Sequence, residues 1–198
     1  YYQPGWTLVG GGVLKKEVTM RAMDKIIPQG VTRIKDSVTS FSPEKNIITT
    51  LSGQEISYDF LVVAAGIKIN WDAIPGLAEN LGKHGIVSVY DYQVAEKTWD
   101  IIQNFNGGTA LFTQPLPPFK CPGAAQKIMY LTDDTFRKKN IREKSNIQFC
   151  SAGPGIFPVK KYAAALQKVI ARKNLAMHFQ SNLVELRAET KEAVFENL

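Results

Sequence analysis

Apolar positions along this chain change spacing from one stretch to the next. Between residues 31 and 66, short β-branched runs alternate with turn clusters. Segments 31–41, 46–51 and 54–57 read as consecutive strands, separated by Ser42-Pro-Glu-Lys-Asn46 and Ser52-Gly53. The run Tyr58-Asp-Phe-Leu-Val-Val-Ala-Ala-Gly66 is apolar without alternation, which predicts a strand covered on both faces. Residues 91–105 switch to a spacing of three and four, with Val94, Thr98, Ile101, Ile102 and Phe105 on one helical face.

From residue 107 the two periods alternate. A strand at 109–113 precedes a helix at 122–138, whose apolar side carries Ala125, Ile128, Met129, Thr132 and Phe136. A strand at 146–150 leads to a helix at 159–173 with Val159, Tyr162, Ala163, Leu166, Val169 and Ile170 on one face. Strands at 175–179, 182–187 and 192–195 follow. The β-α-β-α-β order predicts an α/β fold with a parallel, doubly wound sheet. Residues 1–30 are loop-rich, and Gly10-Gly11-Gly12 reads as a flexible turn that does not satisfy G-x-G-x-x-G. The stretch 67–90 is irregular, with Pro75-Gly76 and Gly82 to Gly85 as breakers, and is expected to carry an interdomain crossing. Two domains are expected, at residues 1–75 and 76–198.

Composition narrows this picture little. Of 198 residues, 44% are hydrophobic and 21% charged, as in an ordinary globular protein. No apolar run of membrane-spanning length is present. The chain opens Tyr1-Tyr-Gln-Pro-Gly-Trp without Met, which suggests an internal stretch of a longer protein. A net charge of +6 could suit an anionic partner, but the basic residues are dispersed. The densest run, Arg137-Lys-Lys-Asn-Ile-Arg-Glu-Lys144, falls where a helix ends, and cations are favourable there. It reads as a solvated helix end, and no nucleic-acid partner is expected.

Candidate chemistry centres on Cys121. A proline-rich loop, Pro115-Leu-Pro-Pro-Phe-Lys, runs into it, and Pro122 suits the first position of a helix. That places Cys121 at or beside the helix N-cap, where the dipole and Lys120 favour a thiolate, the nucleophilic form. A buried, inert cysteine fits the same residues. Cys150 sits at a strand end and reads as structural. No C-x-x-C or metal-ligand spacing exists, and His84 and His178 are far apart in sequence.

Two landmarks carry a resemblance. Tyr58-Asp-Phe-Leu-Val-Val-Ala-Ala-Gly66 resembles the Y-D-x-L-V-x-A-T-G element of flavoproteins with two dinucleotide-binding domains, with Ala65 in place of the usual Thr. Tyr1-Tyr-Gln-Pro-Gly-Trp-Thr-Leu-Val-Gly10, Lys120-Cys-Pro-Gly-Ala-Ala-Gln-Lys-Ile-Met-Tyr-Leu131 and Val159-Lys-Lys-Tyr-Ala-Ala-Ala-Leu-Gln167 resemble the eukaryotic mitochondrial sulfide:quinone oxidoreductases. The resemblance runs along the whole chain. It implies part of an FAD-binding Rossmann-like domain with a β-meander, then a second doubly wound NAD-binding-like domain carrying Cys121.

It further implies oxidation of hydrogen sulfide, with two electrons passing through FAD to ubiquinone and the sulfane sulfur passing to glutathione or a similar acceptor thiol. Cys121 matches the redox cysteine that carries the persulfide, and its partner cysteine is expected beyond Leu198. Gln3 matches a flavin-contacting position, Val38 the strand position whose backbone pairs with adenine, and Ala65 and Gly66 the close approach to the flavin. Localisation is expected to be mitochondrial, at the inner-membrane surface. The second domain's first strand runs into Gln114-Pro-Leu-Pro-Pro, not a glycine-rich turn. Prolines supply no N–H groups for a pyrophosphate, so that domain is expected not to bind NAD. Two alternatives remain: an NADH:quinone-type flavoprotein, which needs the missing glycine-rich turn, or an inactive fragment with no cofactor bound.

Overall fold

A computed structural model describes all residues, 1–198. The chain forms two compact units: residues 21–68, and residues 1–20 together with 69–198.

In the smaller unit, β1 (Val38–Ser42), β2 (Ile47–Thr50) and β3 (Glu55–Ser57) form the antiparallel meander that the turn clusters predict, in the order β1-β2-β3. Asn46 closes the first turn with φ +54°, a left-handed conformation that Asn tolerates. Asp36 ties the second turn back to the start of β1. Its carboxylate accepts from the Ser52 hydroxyl at 2.6 Å, the Ser37 N–H at 2.7 Å and the Ser52 N–H at 3.1 Å. The Ser52 and Thr50 hydroxyls, then these N–H groups, hold that carboxyl well below the usual range. Two expectations fail in this unit. Residues 31–37 are not strand, and β1 starts only at Val38. The run 58–66 forms no strand at all, and Phe60, Val62 and Val63 are 94%, 86% and 63% exposed. An apolar run states what a segment could bury, but a strand exists only where a neighbour pairs with its N–H and C=O groups.

The larger unit is built on a parallel sheet, β4-β5-β6, formed by Gly108–Gln114, Ser145–Ser151 and Ala176–Phe179. Its register sets Phe112 beside Phe149 and Phe149 beside Met177. Preceding the sheet are α1 (Trp6–Gly10) and α2 (Tyr92–Asn104). Helix α2 starts at Asp91, whose Oδ1 accepts from the Gln93 and Val94 N–H groups at 2.7 and 3.1 Å. Between the strands run α3 (Ala124–Lys138) and α4 (Lys160–Lys173), and the hairpin β7 (Ser181–Arg187) and β8 (Glu192–Asn197) follows. The core joins Ile102 of α2, Ile128, Met129 and Phe136 of α3, and Ile147 and Phe149 of β5. Phe105 stacks on Phe136 with ring centres 4.7 Å apart. The apolar face of α4 is covered only partly, through Ala163, Leu166 and Ile170.

The glycine triplet ends α1 and turns the chain at Gly11-Gly12, as expected, and it is also tightly packed. A Cβ on Gly11 would lie 2.5 Å from Leu131 Cδ1, and one on Gly12 would lie 2.6 Å from the Trp99 ring. The end of α1 thus approaches α2 and α3 more closely than any side chain permits.

The basic run is also more than a solvated helix end. Asp133 of α3 has no exposed side-chain surface. Its carboxylate accepts from Arg137 Nε at 2.9 Å, Arg142 Nε at 2.8 Å and Lys173 Nζ at 2.5 Å. Burial alone would push this carboxyl up, but the three cations outweigh it and hold it below its ordinary value. Arg142 also donates to the Ser145, Lys173 and Asn174 carbonyls. The cluster therefore joins the end of α3 to the end of α4 and the start of β5.

Candidate active site around Cys121

Ligands of open parallel sheets bind outside the carboxyl ends of the strands. Strand β4 ends there at Gln114, whose carbonyl accepts from Ala152 N–H just past the end of β5. The proline-rich loop leaves from this edge and delivers Cys121. No residue from Pro115 to Lys120 makes a backbone–backbone hydrogen bond, in keeping with prolines at 115, 117 and 118. The Pro117–Pro118 peptide is cis.

Helix α3 begins later than Pro122 predicts. Gly123 is its N-cap and Ala124 its first residue, while Pro122 and Gly123 form a turn. Cys121 is therefore not the cap. Its carbonyl accepts from Ala124 N–H at 3.3 Å, which starts the turn leading into the helix. The physical reason is local: the Pro-Gly pair favours a turn over a first helical turn. The thiol is partly exposed and forms no disulfide.

Two side chains hold this loop from outside. Tyr90, just before α2, donates its hydroxyl to the Cys121 carbonyl at 3.1 Å. Burial, and secondarily the charge of Cys121, push the Tyr90 phenol up to about 12. Lys120 Nζ donates to Gln3 Oε1 at 2.9 Å and lies 6.0 Å from the centre of the Trp6 ring. Trp6 is buried with Val9 and Ala95, and packs against Tyr1 and Tyr92. The expected flavin-contacting residue Gln3 and the expected sulfur carrier Cys121 are thus joined through Lys120, although 117 positions separate Gln3 from Lys120. No sequence signal marked Tyr90, which lies in the irregular stretch before α2, nor the pairing of Lys120 with Gln3.

Cys150 lies elsewhere. It is buried on β5, in register with Thr113, and burial pushes its thiol up. It has the environment of an inert core cysteine.

The remaining expected cofactor residues lie in the smaller unit. Val38 is on β1, an edge strand of the meander. The Ser37 carbonyl accepts from Leu51 N–H of the neighbouring strand segment, so the next residue, Val38, turns its own N–H and C=O to the free edge. An edge with one donor and one acceptor is what pairing with a purine requires. Ala65 and Gly66 are exposed. Gly66 has φ +75°, and a Cβ placed on it would meet nothing within 4 Å. The glycine is therefore required for its backbone conformation, and the space beside it is open to a group that approaches the chain closely. These placements fit the contacts FAD would need.

No family model matches the chain. The mitochondrial sulfide:quinone oxidoreductase of Dictyostelium discoideum is 48% identical over 99% of the chain, and that of Mus musculus is 46% identical over 100%. The chain spans 44% of the length of each. The crystal structure of the sulfide:quinone oxidoreductase from Aquifex aeolicus aligns with 100% of this chain and 46% of its own, at a TM-score of 0.78 and 20% identity, a likeness of fold. Along its entire length the chain is 38–48% identical to mitochondrial sulfide:quinone oxidoreductases, and it corresponds to a stretch of about 44% of their length.

Proposed function

We propose that the protein carrying this chain oxidises hydrogen sulfide with ubiquinone as electron acceptor, and that Cys121 carries the sulfane sulfur to a small acceptor thiol such as glutathione. FAD, held with contributions from Gln3, Val38, Ala65 and Gly66, supplies the two-electron acceptor between sulfide and ubiquinone. The observation that carries the reading is a partly exposed Cys121 presented at the carboxyl edge of a parallel sheet, in a stretch 48% identical to a sulfide:quinone oxidoreductase.

The chemistry at Cys121 is thiol–disulfide exchange. Hydrosulfide attacks the Cys121 sulfur in its bond to the second redox cysteine, which is expected outside this chain. A new S–S bond forms on Cys121, and the other cysteine leaves as a thiolate with the electron pair. The sulfide sulfur is thereby oxidised by two electrons to the sulfane level. An acceptor thiolate then takes the outer sulfur, and Cys121 returns as a thiolate. Lys120, the residue before Cys121, donates its ammonium to Gln3 and so ties the loop that carries the reacting sulfur to the segment before α1. Turnover belongs to the full-length protein, at the mitochondrial inner-membrane surface. No helix here is long and apolar enough to cross a membrane.

In the full-length protein, Cys121→Ser is expected to abolish sulfide-driven quinone reduction while flavin absorbance stays at the wild-type level. Retained turnover would refute the assignment.

A further inference from the structure

We propose that Tyr90 is a positioning residue for Cys121: its hydroxyl fixes the loop that presents the thiol and thereby sets the rate of sulfur transfer. The inference rests on Cys121 as the sulfur carrier.

The loop has few other restraints. From Pro115 to Lys120 no backbone group is paired with another backbone group. Apart from the Lys120–Gln3 contact, which is exposed, the Cys121 carbonyl is where the loop is held. That carbonyl takes two donors, Ala124 N–H and the Tyr90 hydroxyl. The first is local and only orients the turn into α3. The second spans 31 positions and ties the turn to a different part of the unit.

Tyr90 is itself a firm base. Its N–H donates to Ser88 Oγ at 3.1 Å, its ring packs against the main core, and Asp91 caps α2 immediately after it. Because the phenol is pushed up to about 12, it stays protonated and remains a donor throughout the physiological range. A reacting sulfur displaced by about an ångström can lose orders of magnitude in rate, so one well-placed bond on an otherwise unpaired loop has kinetic weight.

Tyr90→Phe in the full-length protein isolates the hydroxyl, since ring volume is unchanged. Two rates are read. Alkylation of Cys121 by iodoacetamide, in protein first reduced with dithiothreitol to free its thiol and followed by peptide mass spectrometry with Cys150 as the internal reference, should rise at least threefold. The kcat of sulfide-driven quinone reduction should fall about tenfold, the effect of losing roughly one hydrogen bond, with the KM for quinone and the flavin content unchanged. Tyr130→Phe is the control, because the Tyr130 hydroxyl is buried without a partner, and it should move neither rate. Should Tyr90→Phe lower the thermal midpoint by several degrees, 4-aminophenylalanine at position 90 restores a donor of the same shape and must recover both rates. A change in only one rate, no change in either, or no recovery overturns the proposal. If Cys121→Ser retains turnover, the sulfur-carrier reading fails, and the alkylation rate still decides whether Tyr90 holds the loop.

Discussion

Replacing Asp133 by Asn removes one negative charge from the meeting point of three cations and changes almost nothing in volume. Breaking a buried ion pair by removing one partner costs about 3–5 kcal/mol. The Arg137 side chain is 45% exposed and can be rehydrated, so its share is discounted to that of a surface pair, at most about 1 kcal/mol. Arg142 and Lys173, at 15% and 22%, lose a carboxylate they cannot replace with water as readily. The carbonyl contacts of Arg142 persist. The net cost is about 3 kcal/mol, placed at the junction of α3, α4 and β5.

Native-state hydrogen exchange reads that junction directly in the full-length protein. Protection of the Ile147 and Phe149 amides should fall about a hundredfold at pH 7, since each 1.36 kcal/mol is a factor of ten. The folded Asp133 carboxyl lies below its unfolded value of about 3.9, so its contribution is complete above that pH and is lost as pH falls through the folded value. Wild type and variant should therefore differ at neutral pH and converge in strong acid. A change in protection of less than threefold at pH 7 would show that the cations gain as much from water as from Asp133.

Gly76→Ala should destabilise the larger unit by at least about 2 kcal/mol, because φ is +84° and the new Cβ would lie 1.8 Å from the Leu186 carbonyl oxygen; a thermal midpoint within a degree of wild type would contradict this. In the folded protein reduced with dithiothreitol, Cys150 should be alkylated at least tenfold more slowly than Cys121, and equally fast in concentrated urea, as followed by peptide mass spectrometry; equal rates in the folded protein would contradict the buried position on β5.

Helices α2, α3 and α4, the strands β4 to β8 and the second and third strands of the meander are legible within a few residues, because each element's spacing of apolar residues matches the face it covers. The segment 58–66 shows the limit of that signal. Its composition is that of a covered strand, yet it is exposed and unpaired here, because burial depends on neighbours and not on the segment itself. The start of α3, at Ala124, is ambiguous in the sequence for a related reason. A proline suits the first helical position and also a Pro-Gly turn, and local sequence does not choose between them.

Sequence by itself determined the alternation of strands and helices, the two unlike cysteines, and the motifs the chain shares with sulfide:quinone oxidoreductases, since these depend on residue type and spacing along the chain. Tertiary structure alone decided what surrounds them. It made the glycine triplet a close helix contact, gave the dispersed basic residues a shared buried Asp133, set Gln3 against Lys120, and placed the Tyr90 hydroxyl on the Cys121 carbonyl. Apart from the Arg137 and Arg142 contacts of Asp133, four and nine positions along the chain, each is a meeting of residues about 30 or more positions apart. Such meetings are fixed by how the elements pack, a property that no local pattern encodes.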